Sequence, residues 1–226
     1  GFGQWSLFQD RPSYDATSQA MSGFSAITGF PGRTPLKTGI WIGDCTGALF
    51  ATLGILTALY YRKKTGNGQL LDVSQGESLI RCLDWTWLYQ TLANQERALF
   101  GNRDVACSPS GVFRCQDGFI GIAAISDAQF RGLCAAMGRP DLAQDLGFAT
   151  LAARLEDQQN RTLHHLIEEW TLRKNAEEIE SLADRHDFAA HRVSNAHAHY
   201  HDEHLRQRGA VCEFDDPLYG RVVEYG

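Results

Sequence analysis

The chain has 226 residues, of which 43% are hydrophobic and 21% charged. That is enough to bury a substantial core, and it excludes a small disulfide-stapled scaffold or a disordered segment. Twenty-seven acidic against 21 basic residues leave a formal charge of -6. No run of Lys and Arg interleaved with aromatic residues is present, so a nucleic-acid surface has no compositional support.

Six cysteines, Cys45, Cys82, Cys107, Cys115, Cys134 and Cys212, form no C-x-x-C pair and no regular framework, as expected of reduced thiols in the cytoplasm. The uncharged apolar stretch from Gly47 to Tyr61 falls short of the ~20 residues that cross a bilayer. It reads as a buried helix, and no membrane span is predicted. Gly1-Phe2-Gly3-Gln4-Trp5 lacks a charged head followed by an apolar core, but the sequence has no initiator Met, so targeting stays open.

In chain order, Tyr14 to Thr28 carries apolar and small residues at helical spacing before Gly29-Phe30-Pro31-Gly32 breaks it. Asp44 then stands at the start of an almost continuously apolar helix that ends in Arg62-Lys63-Lys64 and Gly66, the basic last turn and glycine of a helix C-terminus. Gly66-Asn67-Gly68 predicts a turn, Gln69 to Val73 a short strand, and Ser74-Gln75-Gly76-Glu77 a capping box opening a helix that runs to about Ala98.

After a loop over Asn102 to Ser110, two strands, Gly111 to Cys115 and Phe119 to Ala124, flank Gln116-Asp117-Gly118, a strong hairpin signal. Ser126 to Phe188 reads as at least three helices, broken near Gly138-Arg139-Pro140 and Lys174-Asn175. The tail predicts strand, turn and strand over Val211 to Phe214, Asp215-Asp216-Pro217 and Arg221 to Tyr225.

Asp44 is the first candidate for chemistry. A carboxylate in the first turn of a helix meets unpaired N–H groups and the positive end of the helix dipole, which stabilise an anion and can hold an oxyanion. The same position suits an ordinary N-cap, so both roles stand on residue type alone. His191, His197, His199, His201 and His204 invite a metal reading if alternate residues lie on one strand. Their neighbours Ala196, Ala198, Tyr200, Asp202 and Glu203 suit a solvated loop or helix start better, and no metal site is predicted. Cys45 lies near the same helix N-terminus without a readable partner base.

The block Gly39-Ile40-Trp41-Ile42-Gly43-Asp44-Cys45-Thr46-Gly47, the apolar helix, and Arg62-Lys63-Lys64-Thr65-Gly66-Asn67-Gly68-Gln69 before a short strand together resemble the class III (CaiB/BaiF-type) coenzyme A transferases. Four other stretches agree in order: Gly1-Phe2-Gly3; Tyr14-Asp15 through Gln19-Ala20-Met21-Ser22-Gly23; Val112-Phe113 through Asp117-Gly118 to Ala124; and Asp202 to Gly209.

The resemblance implies an α/β fold. Residues 1–100 would be part of a large nucleotide-fold, CoA-binding domain, 101–210 a smaller α+β domain, and 211–226 the start of a return to the large one. An interlocked homodimer is expected of the intact protein. The family's N-terminal region has no counterpart here and the final strand stops abruptly, so the chain is expected to be a fragment lacking the N-terminal part and the C-terminal end.

The implied activity is acyl-CoA:carboxylate CoA-transfer through an aspartyl mixed anhydride and an aspartyl-CoA thioester on Asp44. Acyl-CoA and a carboxylic acid acceptor are the substrates, and there is no resident cofactor. Phe2, Gly3, Gln19 and Ser74 match positions near the coenzyme or acyl group; a turn residue, a helix-face polar group or an N-cap is an equally good account of each. An acyl-CoA racemase of the same superfamily is the alternative, although Tyr14-Asp15 stands where that pattern has His-Asp. A non-catalytic CoA-binding or oligomerisation module is the third reading. Ser108-Pro109-Ser110-Gly111 replaces the family's run of glycines, which leaves the role of that loop open.

Overall fold

The computed structural model describes residues 1–225; Gly226, the last residue of the expected returning segment, lies outside them. The chain divides into two units, one of residues 1–101 and one from 102 onward.

The first unit holds α1 (Asp15–Met21), a 3-10 turn over Ser25–Ile27, α2 (Ile42–Thr65), α3 (Gln75–Arg81) and a single turn, α4 (Thr86–Leu88), followed by a π-turn over Tyr89–Ala93. Helix α2 ends as its sequence requires: Gly66 takes φ 80° and donates its N–H to Arg62 O at 2.8 Å, the left-handed C-terminal residue a side chain would disfavour.

Three expectations fail in this unit. The segment from Gln69 to Val73 is not a strand, because an extended segment becomes one only by pairing and none of the described strands lies in residues 1–101. The helix expected to reach Ala98 stops at Arg81, since Asp84 (φ 53°) and Asn94 (φ 50°) adopt the left-handed conformation, which short polar side chains tolerate. The apolar helix is not buried. Within α2 only Gly43 and Thr46 are buried, while Leu49, Leu53 and Leu56 are 70%, 62% and 61% exposed. At 24 residues it is, by length and composition alone, long and apolar enough to cross a membrane, longer than its uncharged middle suggests because the basic last turn belongs to the same helix.

The second unit is built on an antiparallel sheet in the order β1 (Ser110–Cys115), β2 (Gly118–Ala123), β3 (Ala189–Arg192). The predicted hairpin forms in the register Cys115↔Gly118 through Ser110↔Ala123. One sheet face, with Phe113, Cys115, Ile120 and Ile122, packs into a core with Phe130, Leu133, Leu163, Ile167 and Ile179. These last residues come from α5 (Asp127–Ala136), α7 (Asp157–Thr171) and α8 (Ala176–His186), and α6 (Leu151–Leu155) precedes α7. The helical breaks fall at the two predicted places, and four helices occupy the segment.

Strand β3 is absent from the sequence reading. Ala189-Ala190-His191-Arg192 has no strand-like composition, and the segment is extended because it pairs with β2, Gly121 opposite His191. The remaining elements are α9 (Ala196–His201), α10 (Glu203–Gln207) and the hairpin β4 (Val211–Asp216) with β5 (Gly220–Tyr225). The five histidines thus lie on β3, α9 and α10, and not on one strand.

Candidate active site

Asp44 is the third residue of α2, one turn inside the position that a capping residue takes. Trp41 is the N-cap residue and supplies no side-chain cap. The cap comes from another helix: Asp15, 6% exposed and first in α1, accepts the buried Gly43 N–H on Oδ1 at 2.8 Å. Its other oxygen, Oδ2, accepts Gln19 Nε2–H at 2.7 Å, and Gln19 Oε1 in turn accepts the Thr38 N–H at 3.0 Å. The side chain that caps the α2 N-terminus is therefore that of Asp15, and Asp44 is exposed. Among the N–H groups of the first turn, that of Gly43 is thereby already occupied.

The two glycines around Asp44 explain how α1 and α3 come so close. A Cβ on Gly43 would lie 3.2 Å from Asp15 Oδ1 and 3.3 Å from Leu79 Cδ1, and one on Gly47 would lie 3.6 Å from Gln75 Cγ. Spaced four apart, they face the same side of the helix. Helix α1 thus brings Asp15, and α3 brings Gln75, close to Asp44. Gln75 Nε2 donates to Asp44 Oδ1, and its Oε1 accepts the hydroxyl of the fully buried Ser18 at 3.3 Å.

Asp44 lines a surface cavity of about 380 Å³ with Tyr14, Asp15, Ala16, Lys37 and Trp41. Tyr14 is 77% and Trp41 70% exposed, so the cavity offers aromatic and cationic surface beside a carboxylate.

The other sequence-derived candidates, Phe2, Gly3, Gln19 and Ser74, are not among the residues that line this cavity. Gln19 is fully buried and both ends of its amide are held by protein groups, so it supports Asp15 and Thr38 from behind. Ser74 is 3% exposed and is the N-cap of α3: its Oγ accepts the Glu77 N–H at 3.3 Å and donates to Gly1 O at 3.1 Å. Gly3 has φ 90° and lies near Asp72 and Ser74, and the Phe2 ring packs edge-on against Phe8 at 5.9 Å. The N-terminal glycine turn is therefore strapped to the segment that opens α3. Sequence reasoning missed Gln75, Lys37 and the capping role of Asp15. The legible signal was the pair of glycines, which marks where two other elements must approach α2.

In the second unit the Ser108–Gly111 loop is anchored. Ser108 O accepts Arg154 Nε–H at 2.7 Å, Ser108 Oγ accepts Asn160 Nδ2–H at 3.0 Å, and Pro109 O accepts the Ala124 N–H at 3.0 Å. A Cβ on Gly111 would lie 2.2 Å from Asn102 O, so this glycine serves a close backbone approach.

The fold is that of the CaiB/BaiF family: a Brucella suis structure of that family superposes with a TM-score of 0.79 at 27% identity, over 95% of this chain and 56% of that one. An M. tuberculosis structure at 19% identity, with a TM-score of 0.81 over 100% of this chain and 59% of its own, speaks for the fold alone. The profile of CoA-transferase family III matches residues 1–226, and the chain belongs to that family.

Among curated relatives, the succinyl-CoA–D-citramalate CoA-transferase of Chloroflexus aurantiacus is 35% identical over 98% of this chain and 55% of that protein. The succinyl-CoA:mesaconate CoA-transferase of Haloarcula marismortui is 31% identical over 92% of this chain and 52% of its own length. The chain spans about half the length of the curated relatives it matches.

Proposed function

We propose that the protein carrying this chain moves coenzyme A between carboxylic acids, with Asp44 as the covalent nucleophile. The observation that carries the reading is the exposure of Asp44 on the cavity while Asp15 performs the capping that would otherwise account for an aspartate there. Family membership and relatives named for transfer from succinyl-CoA to citramalate or mesaconate support succinyl-CoA as donor and a small dicarboxylic acid as acceptor.

An Asp44 carboxylate oxygen attacks the thioester carbonyl, the C–S bond breaks, and CoA thiolate leaves a mixed anhydride. The thiolate then attacks the aspartyl carbonyl, which expels the donor acid and leaves an aspartyl-CoA thioester. The acceptor carboxylate attacks that carbonyl, CoA thiolate leaves again, and its attack on the acceptor's acyl carbon returns Asp44 as a free carboxylate. Each step exchanges one acyl bond for another of similar energy, so the thioester's free energy is conserved as long as water is kept out.

In this reading no resident cofactor or metal takes part, Phe2 and Gly3 contact coenzyme or acyl group, and Gln19 and Ser74 act from behind. The intact protein is a cytoplasmic homodimer not inserted in a membrane, with residues 211–226 returning to the large domain. Racemisation is disfavoured because Tyr14-Asp15 stands where the racemase pattern has its His-Asp pair, so the histidine of that acid–base pair is missing.

Mass spectrometry of the full-length protein after brief exposure to succinyl-CoA, with peptide mapping around Asp44, tests the proposal. A CoA or acyl adduct on the Asp44 peptide is expected. Deuterium exchange at the acyl alpha carbon without an adduct would install the racemase reading, and CoA binding with neither event would leave a non-catalytic module.

A further inference from the structure

The reaction written above places negative charge twice on the carbonyl oxygen of Asp44 itself. When CoA thiolate attacks the aspartyl anhydride, and again when the acceptor carboxylate attacks the aspartyl thioester, the tetrahedral carbon is Cγ of Asp44, and one of its own oxygens becomes the oxyanion. A donor that serves these steps must be aimed at Asp44, not at the substrate's acyl oxygen.

From this geometry we infer that Gln75 is that donor, a further catalytic residue that rests on Asp44 being the nucleophile. Its Nε2 donates to Asp44 Oδ1. Its position is fixed at both ends: Oε1 accepts the Ser18 hydroxyl at 3.3 Å, and its backbone N–H is held by Gly1 O at 3.0 Å. Ser18 is fully buried, and its Oγ is 3.0 Å from Ser13 Oγ, so the amide cannot easily swing away. The half-buried Gln75 side chain runs past Gly47, where a Cβ would lie 3.6 Å from its Cγ. The N–H groups of the helix start serve less well: Asp15 already takes that of Gly43.

Holding Oδ1 also divides the carboxylate. Oδ2 is left to attack the incoming acyl carbon, and Oδ1 becomes the carbonyl oxygen of the anhydride and the thioester without changing its partner. A donor already aimed at the developing charge needs no reorganisation, the condition under which such groups contribute most; loss of one donor typically costs about 10²-fold or more in turnover.

The test compares wild type with Gln75→Met, which keeps length and loses the donor, and Gln75→Glu, in the full-length protein with succinyl-CoA and a dicarboxylate acceptor. For Q75M we expect kcat lower by about 10²-fold with KM for the acyl-CoA within about twofold. Appearance of the CoA adduct on the Asp44 peptide should slow in the same proportion. Turnover of Q75E rises relative to that of Q75M as the pH falls through the carboxyl range, because only a protonated Glu donates while protonation of the Asp44 nucleophile slows both variants alike; a purely packing role would not produce that difference. An adduct that forms at the wild-type rate in Q75M, or a Q75E profile that follows Q75M, overturns the inference and leaves Asp44 as nucleophile. Absence of any adduct in the wild type overturns both readings, and it is recognised by occurring before any substitution is made.

Discussion

Asp15 Oδ1 accepts the Gly43 N–H at 2.8 Å across 28 residues of sequence, so the N-terminus of α2 is capped by a carboxylate from another helix. The residue next to Gly43, Asp44, thereby keeps its carboxylate out of the helix-capping role that its sequence position suggests.

The two aspartates should therefore separate cleanly in mutation. Asp15→Ala removes a buried cap and frees Gln19 Nε2 of its shortest acceptor, and should lower stability by about 1–2 kcal/mol. Asp44→Asn should change stability by less than about 0.5 kcal/mol while abolishing adduct formation and turnover. Urea unfolding beside adduct mass spectrometry checks the pair, and an Asp44 variant as destabilised as the Asp15 one would restore Asp44 as the cap.

The glycines make opposite predictions. A methyl on Gly43 falls 3.2–3.3 Å from Asp15 Oδ1 and Leu79 Cδ1, so Gly43→Ala should cost about 1–3 kcal/mol through overpacking and should disturb the Asp44 site. At Gly47 the nearest atom is 3.6 Å away, an ordinary contact, and alanine's higher helix propensity should make Gly47→Ala neutral or stabilising by up to about 1 kcal/mol. Thermal melts of the two variants distinguish these directions.

Arg154 is a fully buried side chain in the second unit. Its guanidinium donates to Ser108 O (2.7 Å), Phe148 O (2.9 Å), Ile125 O (3.1 Å) and Asp127 Oδ1 (3.0 Å) and lies over the Phe130 ring. Arg154→Met leaves three carbonyls without their donor and should cost about 3–5 kcal/mol. Hydrogen exchange at β1 and β2 amides would show the loosening, and unchanged protection would contradict the anchoring role given to Arg154.

His164 packs tilted against Phe113 at 4.9 Å, its Nε2 is buried without a partner, and burial pushes its pKa from 6.5 to about 4. The unfolded imidazole therefore binds a proton below about pH 6.5 and the folded one only near pH 4. Between those values the unfolded state holds more protons, so stability falls as the pH is lowered, by about 2 kcal/mol after screening of a partly solvated ring. Asp117, Asp141 and Asp157 have carboxyl pKa values held down by the Ala176 N–H, Arg139 and Arg161 respectively; they add acid lability only below the ordinary carboxylate range. His164→Leu should flatten the slope of unfolding free energy between pH 6.5 and 4, and an unchanged slope would place its source elsewhere.

Much of this molecule is legible locally. The C-terminus of α2 at Gly66, the Gln116-Asp117 hairpin turn, the Ser74 cap and the two breaks in the helical segment are each specified by residues within one turn of where they act. Local chemistry suffices there because the partner of each backbone group is a near neighbour in sequence. The ordered motifs likewise identify the family, because each is a short run whose spacing survives without knowledge of the fold.

Pairing across distance is what the sequence alone could not decide. Strand β3 exists because β2 offers it an edge, Gln69 to Val73 is no strand because none of the described strands lies in its own unit, and α2 shows its apolar surface to solvent although its composition suits an interior. The same holds at the site. Asp44 was readable as a carboxylate in a first helical turn, but whether it caps or reacts depended on Asp15 and Gln75, which stand 28 positions before Gly43 and 31 after Asp44. Their hydrogen bonds form only once two small residues let three helices meet, and close packing of that kind is a property of the assembled tertiary structure.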